Sequence, residues 1–314
     1  MRIVAALGGN ALLKRGEALS AANQRVNVKA AAVALAPIIR DGHELIITHG
    51  NGPQVGLLAL QAASGPVDGD YPLDILDAES EGMVGYLIEQ ELRNELPDGY
   101  LIATLLTQIS VSQSDPAFLQ PSKPIGPVYN EAKAEWIAEA RGWHVAPDGG
   151  GWRRVVPSPE PLEILEARVI EHLVRTHVTV ICAGGGGIPV IVRADGSIVG
   201  VEAVIDKDRA SALVARNLRA DRLLLLTDVA AVYAGWATPE AQQIASGNPA
   251  SFDLDEFAAG SMRPKVDAAI GFTNETGKPA HVGRLDEVDG ILRRNAGTLI
   301  SVTAGPRRLR PCTR

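Results

Sequence analysis

The sequence predicts an α/β fold: a three-layer αβα sandwich on a mainly parallel central sheet, with a small protruding subdomain inserted at its edge. Three observations predict it. Short continuous apolar runs alternate with helical periods along most of the chain. Glycine clusters follow several of those runs, where parallel strands turn into helices. One stretch, residues 112–161, breaks the rhythm with proline, glycine, tryptophan and charge.

The predicted strands are residues 3–7, 45–48, 101–107, 178–182, 223–227 and 298–302. Each is short and rich in leucine or β-branched residues, as strands buried on both faces are. Between them lie helical stripes. Val84, Leu87, Ile88 and Leu92 form one, and Ala210, Leu213, Val214 and Leu218 a second. Met262, Val266, Ala269 and Ile270 form a third, with Ser261 as N-cap and Pro264 in the first turn. Within 112–161 a helix is expected over 131–141, and Trp143, Trp152, Arg153 and Arg154 should hold the insertion together. Residues 306–314 read as a loose tail on a domain spanning 1–305.

Composition narrows the function. The 314 residues are 46% hydrophobic and carry a formal charge of −7, which disfavours nucleic acid as a partner. No run approaches a membrane span, and the apolar start reads as a buried first strand without a signal-peptide pattern. The two cysteines, Cys182 and Cys312, suggest no disulfide framework and fit a reducing, cytoplasmic setting. Cys182 reads as a small buried hydrophobe.

Three glycine clusters fall after predicted strands: Gly8-Gly9-Asn10, Gly50-Asn51-Gly52 and Gly184 to Gly187. At the carboxyl ends of a parallel sheet, glycine lets backbone N–H groups approach an anion. Tight strand–helix turns use glycine as well, so each cluster alone has a purely structural reading. Neither a Walker loop nor a GxGxxG turn is present, which removes the main support for a P-loop enzyme or a dehydrogenase. Any positive charge for phosphate must come from elsewhere. Lys123 is flanked by prolines, Lys207 stands between Asp206 and Asp208, and Lys265 sits in a first helical turn. A cation there opposes the helix dipole unless an anion is near. Asp206 can cap the helix that follows it. Thr227 and Asp228 follow a strand, with Tyr233 close behind, a plausible nucleoside-contact region or a plain strand-end turn.

Together the segments ALGGNALL, HGNGPQVG, PSKPIGP, GWRRVVPSP, CAGGGGIPV, GVEAVIDKD, LLTDV and GSMRPKV resemble the carbamate kinases, within the amino acid kinase family. The resemblance runs over nearly the whole chain. Related kinases carry a lysine just before the first glycine pair; here that place is Ala5-Ala6-Leu7, as in carbamate kinases, and the lysine of PSKPIGP stands in for it. The resemblance implies a homodimer that moves a phosphoryl group between ATP and carbamate, giving ADP and carbamoyl phosphate. In arginine-fermenting organisms the reaction commonly runs backwards to make ATP. The nucleotide would sit in the C-terminal part, about 178–305, and the carbamoyl group in the N-terminal part.

On this reading Gly8, Gly9, Asn10, Gly50, Asn51 and Gly52 surround carbamate and the transferring group. Lys123 reaches the γ-phosphate, Lys207 and Lys265 neutralise the phosphate chain, and Asp208 orients those lysines. Thr227, Asp228, Tyr233 and Met262 lie along the nucleotide. Carbamate is already an oxyanion, so no general base is needed and His49 has a structural role. Mg²⁺ would arrive with ATP, without a dedicated protein site. A kinase for another small acid and a non-catalytic sensor on the same fold remain as alternatives.

Overall fold

A computed structural model describes residues 1–13, 17–63, 71–236, 238–258 and 260–310, with backbone alone at 10, 11, 63 and 127. The chain opens with β1 (Arg2–Leu7), the one-turn α1 (Gly9–Leu12), α2 (Ala21–Arg40), β2 (Glu44–His49), α3 (Gly52–Ala63) and α4 (Leu73–Glu95). Then come β3 (Leu101–Thr104), β4 (Gln108–Val111), β5 (Lys123–Tyr129), α5 (Glu131–Arg141), β6 (His144–Asp148) and β7 (Gly151–Val156). They are followed by β8 (Pro161–Ile164), α6 (Ala167–Arg175), β9 (Val178–Ile181), β10 (Ile188–Val192), β11 (Ile198–Gly200) and α7 (Lys207–Asn217). The chain ends with β12 (Arg222–Thr227), β13 (Tyr233–Ala234), β14 (Gln242–Gly247), α8 (Met262–Thr276), β15 (Ala280–Arg284), α9 (Val288–Leu292), β16 (Thr298–Ile300) and β17 (Arg308–Arg310).

The central sheet runs β13-β14-β16-β15-β12-β1-β2-β9-β3, with β17 added beside β14. From β15 to β3 every pairing is parallel. The alternation of side chains makes it a middle layer. Val4 and Ala6 of β1, with Leu223 and Leu225 of β12, enter one core with α6, α7 and α8. Ile3, Ala5, Leu7, Leu224 and Leu226 enter the opposite core with α2, α4 and α9. Residues 3–7 of β1 and 223–226 of β12 are therefore all apolar, and burying each large side chain contributes about 1.5–3 kcal/mol.

Two elements of this sheet and its cover carry no mark in the pattern above. α2 buries Gln24 and Asn27 beside alanines and larger apolar residues and contains Pro37, so its stripe is faint, although Ser20 caps it by accepting from the Asn23 N–H at 3.2 Å. β15 contains His281 and Gly283, which dilute its apolar run. The strand expected over 101–107 stops at Thr104, because residues 105–107 cross to a second sheet, β11-β10-β4-β8. Residues Arg308–Arg310, in the stretch expected to be loose, pair antiparallel with β14, and residues 311–314 lie outside the described residues.

Within 112–161, β5, β7 and β6 form a small antiparallel sheet with α5 against it. Its anchor is a third, separate core in which Ile125 and Val156 meet Val55 and Ala59 of α3 and Leu73 and Leu76 of α4. Arg154 lies 4.3 Å over the Trp143 ring and bridges to Glu202 at 3.0 Å, while Arg153 donates to the Gly126 carbonyl and pairs with Asp148.

Candidate active site

Parallel register brings the strand ends to one rim. Leu7 pairs with both Leu226 and His49, so the turns after β1, β2 and β12 start at the same level. Gly8 N–H donates to the Leu226 carbonyl and Gly50 N–H to the Leu7 carbonyl, which ties the three turns together. Beside this rim lies a cleft of about 320 Å³, the size of a small-molecule site. Gly8, Gly9, Lys123, Lys207, Asp208, Thr227, Asp228, Tyr233, Met262 and Lys265 all line it.

The lysines come from three separate elements. Lys207 opens α7, Lys265 stands in the first turn of α8, and Lys123 begins β5 in the inserted sheet. Asp208 joins two of them, accepting from Lys207 Nζ at 2.5 Å and Lys265 Nζ at 2.8 Å. Burial alone would raise the Asp208 carboxyl, but the two ammonium groups outweigh it and hold it far below the usual carboxylate range. Burial pulls Lys207 down, whereas for Lys265 the attraction of Asp208 overcomes burial and raises it. The cation in the first turn of α8 is thus neutralised by a fixed anion, which offsets the dipole cost.

Asp206 does more than cap its helix. Its Oδ1 accepts from the N–H groups of Asp208 and Arg209, at 2.9 and 3.3 Å. Its Oδ2 accepts from Lys123 Nζ at 2.7 Å and so ties the inserted sheet to the cleft floor. Burial would raise this carboxyl too, yet Lys123 brings it down. The acid doubles as cap and latch, a pairing that the sequence separation of 83 residues conceals. Asp206 and Asp208 pair with the three ammonium groups, and Asp228 in the cleft wall also attracts Lys265.

Other residues lie elsewhere. Gly50, Asn51 and Gly52 do not line the cleft. Gly50 backs onto Gly9, where an added Cβ would come within 3.1 Å of the Gly9 nitrogen and 3.7 Å of the Lys207 side chain. The Asn51 amide is turned inward, donating to Ser80 Oγ at 2.7 Å and Asp77 Oδ1 at 3.3 Å. Asn10's side chain lies outside the described residues. Ser261 precedes α8, but its hydroxyl makes no capping bond, because its backbone is not in the extended geometry a cap requires.

The Gly184–Gly187 cluster is buried away from the cleft. A Cβ on Gly184 would lie 2.3 Å from His49 Cε1, and one on Gly185 would lie 2.2 Å from Asn51 Nδ2. These glycines let the chain close over the turn after β2. Beneath that turn His49 is fully buried, donates from Nδ1 to the Gly50 carbonyl at 3.2 Å, and is lowered by burial to about 4, so it stays neutral. Glu81 accepts from the N–H groups of Thr107 and Gly184 at 3.1 and 2.7 Å, and burial raises it to about 8. Burial also raises Cys182, which remains a thiol.

The cleft also uses residues that the sequence did not single out: Trp236, Glu256, Phe257 and Ala258. Asp206 was expected only as a helix cap. Tyr233 meets Trp236 edge to face, with centroids 5.1 Å apart. Among the described residues no group of three or more His, Cys, Asp or Glu side chains is arranged to hold a metal ion. None of the described helices is long and apolar enough to cross a membrane.

Comparison with known proteins gives consistent results. The family model described as "Amino acid kinase family" matches residues 1–284. A carbamate kinase of Rhizobium meliloti is 51% identical over 303 residues, 96% of this chain and 93% of that protein. One from Escherichia coli K12 is 49% identical, covering 96% of this chain and 99% of its own length. Among solved structures, carbamate kinase from Giardia lamblia bound to AMP-PNP aligns with a TM-score of 0.87 and 40% identity, over 96% of this chain and 98% of that one.

Proposed function

The chain belongs to the amino acid kinase family, on its carbamate kinase branch, and from that premise we propose how its cleft works. It transfers a phosphoryl group reversibly between ATP and carbamate, giving ADP and carbamoyl phosphate. The observation that carries the site assignment is the meeting of Lys123, Lys207 and Lys265 around Asp206 and Asp208 in one cleft.

The chemical problem is repulsion between two anions, the carbamate oxygen and the phosphoryl group. Fixed ammonium groups in a partly desolvated cleft relieve it without moving at the moment of transfer. Lys207 and Lys265 neutralise the phosphate chain, and Asp208 fixes their directions. Lys123 leaves Asp206 for the transferring group when substrate enters, so the inserted sheet closes over the cleft as it does so. The backbone N–H of Gly9 faces the transferred group, in a turn that the Gly8 N–H fixes through the Leu226 carbonyl. The turn at Gly50–Gly52 supports the carbamoyl end from behind, backing onto Gly9, while Asn51 fixes that turn. Thr227, Asp228, Tyr233 and Met262 line the nucleotide's course. Mg²⁺ comes with the nucleotide, held by phosphate oxygens and water.

We further propose that the protein is a cytoplasmic homodimer making ATP during arginine breakdown. Exposed Ile75 and Tyr86 on one face of α4, with Leu106 beside Gly82, support a partner surface there. Sedimentation at micromolar concentration tests it: a dimer is expected, and a monomer overturns this part.

The test of the reaction is direct. Carbamoyl phosphate, ADP and Mg²⁺ incubated with the protein should give ATP, read by luciferase. ATP formed from acetyl phosphate but not from carbamoyl phosphate would assign a different acceptor acid.

A further inference from the structure

One side chain in the cleft carries a charge that phosphoryl transfer does not use. Glu256 lines the cleft beside Phe257 and Ala258, with its side chain 38% exposed. An anion in a cleft for a polyphosphate is repelled by it unless the two are kept apart. Glu256 is kept apart from the phosphate-binding end: Lys207 and Lys265 pair with Asp208 and Lys123 with Asp206, while Glu256 pairs with Arg307. The Arg307 grip is two-pronged, Nη1 to Oε2 at 2.6 Å and Nη2 to Oε1 at 2.9 Å. It holds the Glu256 carboxyl below its ordinary range.

Arg307 stands one residue before β17, the strand that fastens the chain end to β14. The same segment is pinned from its other side, where Arg263 of α8 bridges to Asp255 at 3.0 Å. Two arginines from different elements therefore fix the position of one short stretch of cleft wall.

We propose that Glu256 is the residue that recognises the sugar of the nucleotide, accepting hydrogen bonds from the ribose hydroxyls, and that Arg307 positions it. The inference rests on the reading of this cleft as the nucleotide site. The neighbouring Tyr233, Trp236, Phe257 and Met262 offer rings and a thioether to a flat base. What remains for a fixed, ionised acceptor is a pair of donors, and a vicinal diol presents two side by side. Each carboxylate oxygen keeps a free lone pair after bonding to Arg307. An acid that accepts from ribose hydroxyls beside a bound pyrophosphate is a recurrent solution to nucleotide recognition.

Titration calorimetry on the full chain tests the proposal, using ADP, 2′-deoxy-ADP and IDP with Glu256→Ala, Arg307→Ala and Arg307→Lys. The unaltered protein should bind ADP about tenfold or more tighter than 2′-deoxy-ADP, the factor that one such contact commonly gives. In Glu256→Ala and Arg307→Ala the preference for ADP over 2′-deoxy-ADP should vanish, with 2′-deoxy-ADP itself weakened less than ADP because it loses only its 3′-hydroxyl contact. Arg307→Lys should recover part of the preference, which a merely structural arginine would not do. A preference for ADP over 2′-deoxy-ADP that survives both alanine variants overturns the proposal. So does a loss confined to the distinction between ADP and IDP, which would make Glu256 a reader of the base. If the unaltered protein binds no adenine nucleotide, the nucleotide reading of the cleft fails first.

Discussion

Two buried polar centres flank the turn after β2, and they are built on opposite principles. In the cleft, Asp206 and Asp208 meet three lysines at 2.5–2.8 Å, and both are held ionised. Beneath the turn, Asp77, Glu81 and His49 are buried with amides and hydroxyls and, among the described residues, no cation within salt-bridge reach. Burial raises both acids there and lowers the histidine, so all three tend towards their neutral forms. The difference teaches what each centre can do. Charges already paired in an open cleft can be shared with an incoming anion. Neutral groups sealed under glycines can only hold geometry, here that of the strand-end turn. The same residue types serve chemistry in one place and scaffold in the other because their neighbours differ.

The largest blow to this contrast should come from Asp208→Ala. It leaves two buried ammonium groups facing each other without their anion. Removing one partner of such a buried set typically costs about 3–5 kcal/mol, so urea denaturation should show that loss, with turnover nearly abolished. Unchanged stability would mean that the cleft charges are not paired as described.

Lys123→Ala separates chemistry from scaffold more cleanly. Turnover should fall roughly a hundredfold, about 3 kcal/mol in the barrier, with ADP binding largely retained. The Lys123 side chain is 36% exposed, so stability should drop by less than about 1 kcal/mol. Unchanged turnover would remove this lysine from the mechanism.

Gly184→Ala probes the sealed centre. Its Cβ would come 2.3 Å from His49 and 2.8 Å from Glu81 Cγ, so the expected cost is about 1–3 kcal/mol of stability from overpacking. A stability within about 0.5 kcal/mol of the parent, the range of surface changes, would show that the turn has room to give.

The subtlest test is the pH dependence of stability. Folded Glu81 keeps its proton to about pH 8, whereas the unfolded chain releases it near 4.5. Between those values the unfolded state binds fewer protons, so stability should fall as pH rises, by at most about 1.4 kcal/mol per unit from this group. Glu81→Gln should flatten that decline between pH 5 and 8. Asp208 has the opposite sign: its carboxyl is depressed, so its contribution is present above about pH 3.8 and is lost below it. A profile unaltered by Glu81→Gln would place the ionised form in the fold.

Much of this was legible along the chain. Strands buried on both faces are mostly apolar, so β1, β2, β9 and β12 stood out as short runs rich in leucine and β-branched residues. The three lysines became legible through the family pattern, because a single lysine among prolines, between acids or at a helix start reads equally well as a surface charge. The inserted body was legible from its tryptophans, which need partners. α2 and β15 were not, because alanine, proline, histidine and glycine weaken the periodicity on which such readings rest.

The sequence by itself determined the sandwich, the strand-end turns and the lysines, since burial and helix polarity act on neighbouring residues. The tertiary structure alone decided which glycines line the cleft and which merely allow two loops to touch, as Gly9 and Gly184 do respectively. It also decided the pairing of Lys123 with Asp206 and of Arg307 with Glu256. The physical reason is distance along the chain. An ion pair depends on where two segments meet in space, and no local pattern records a meeting between residues dozens of positions apart.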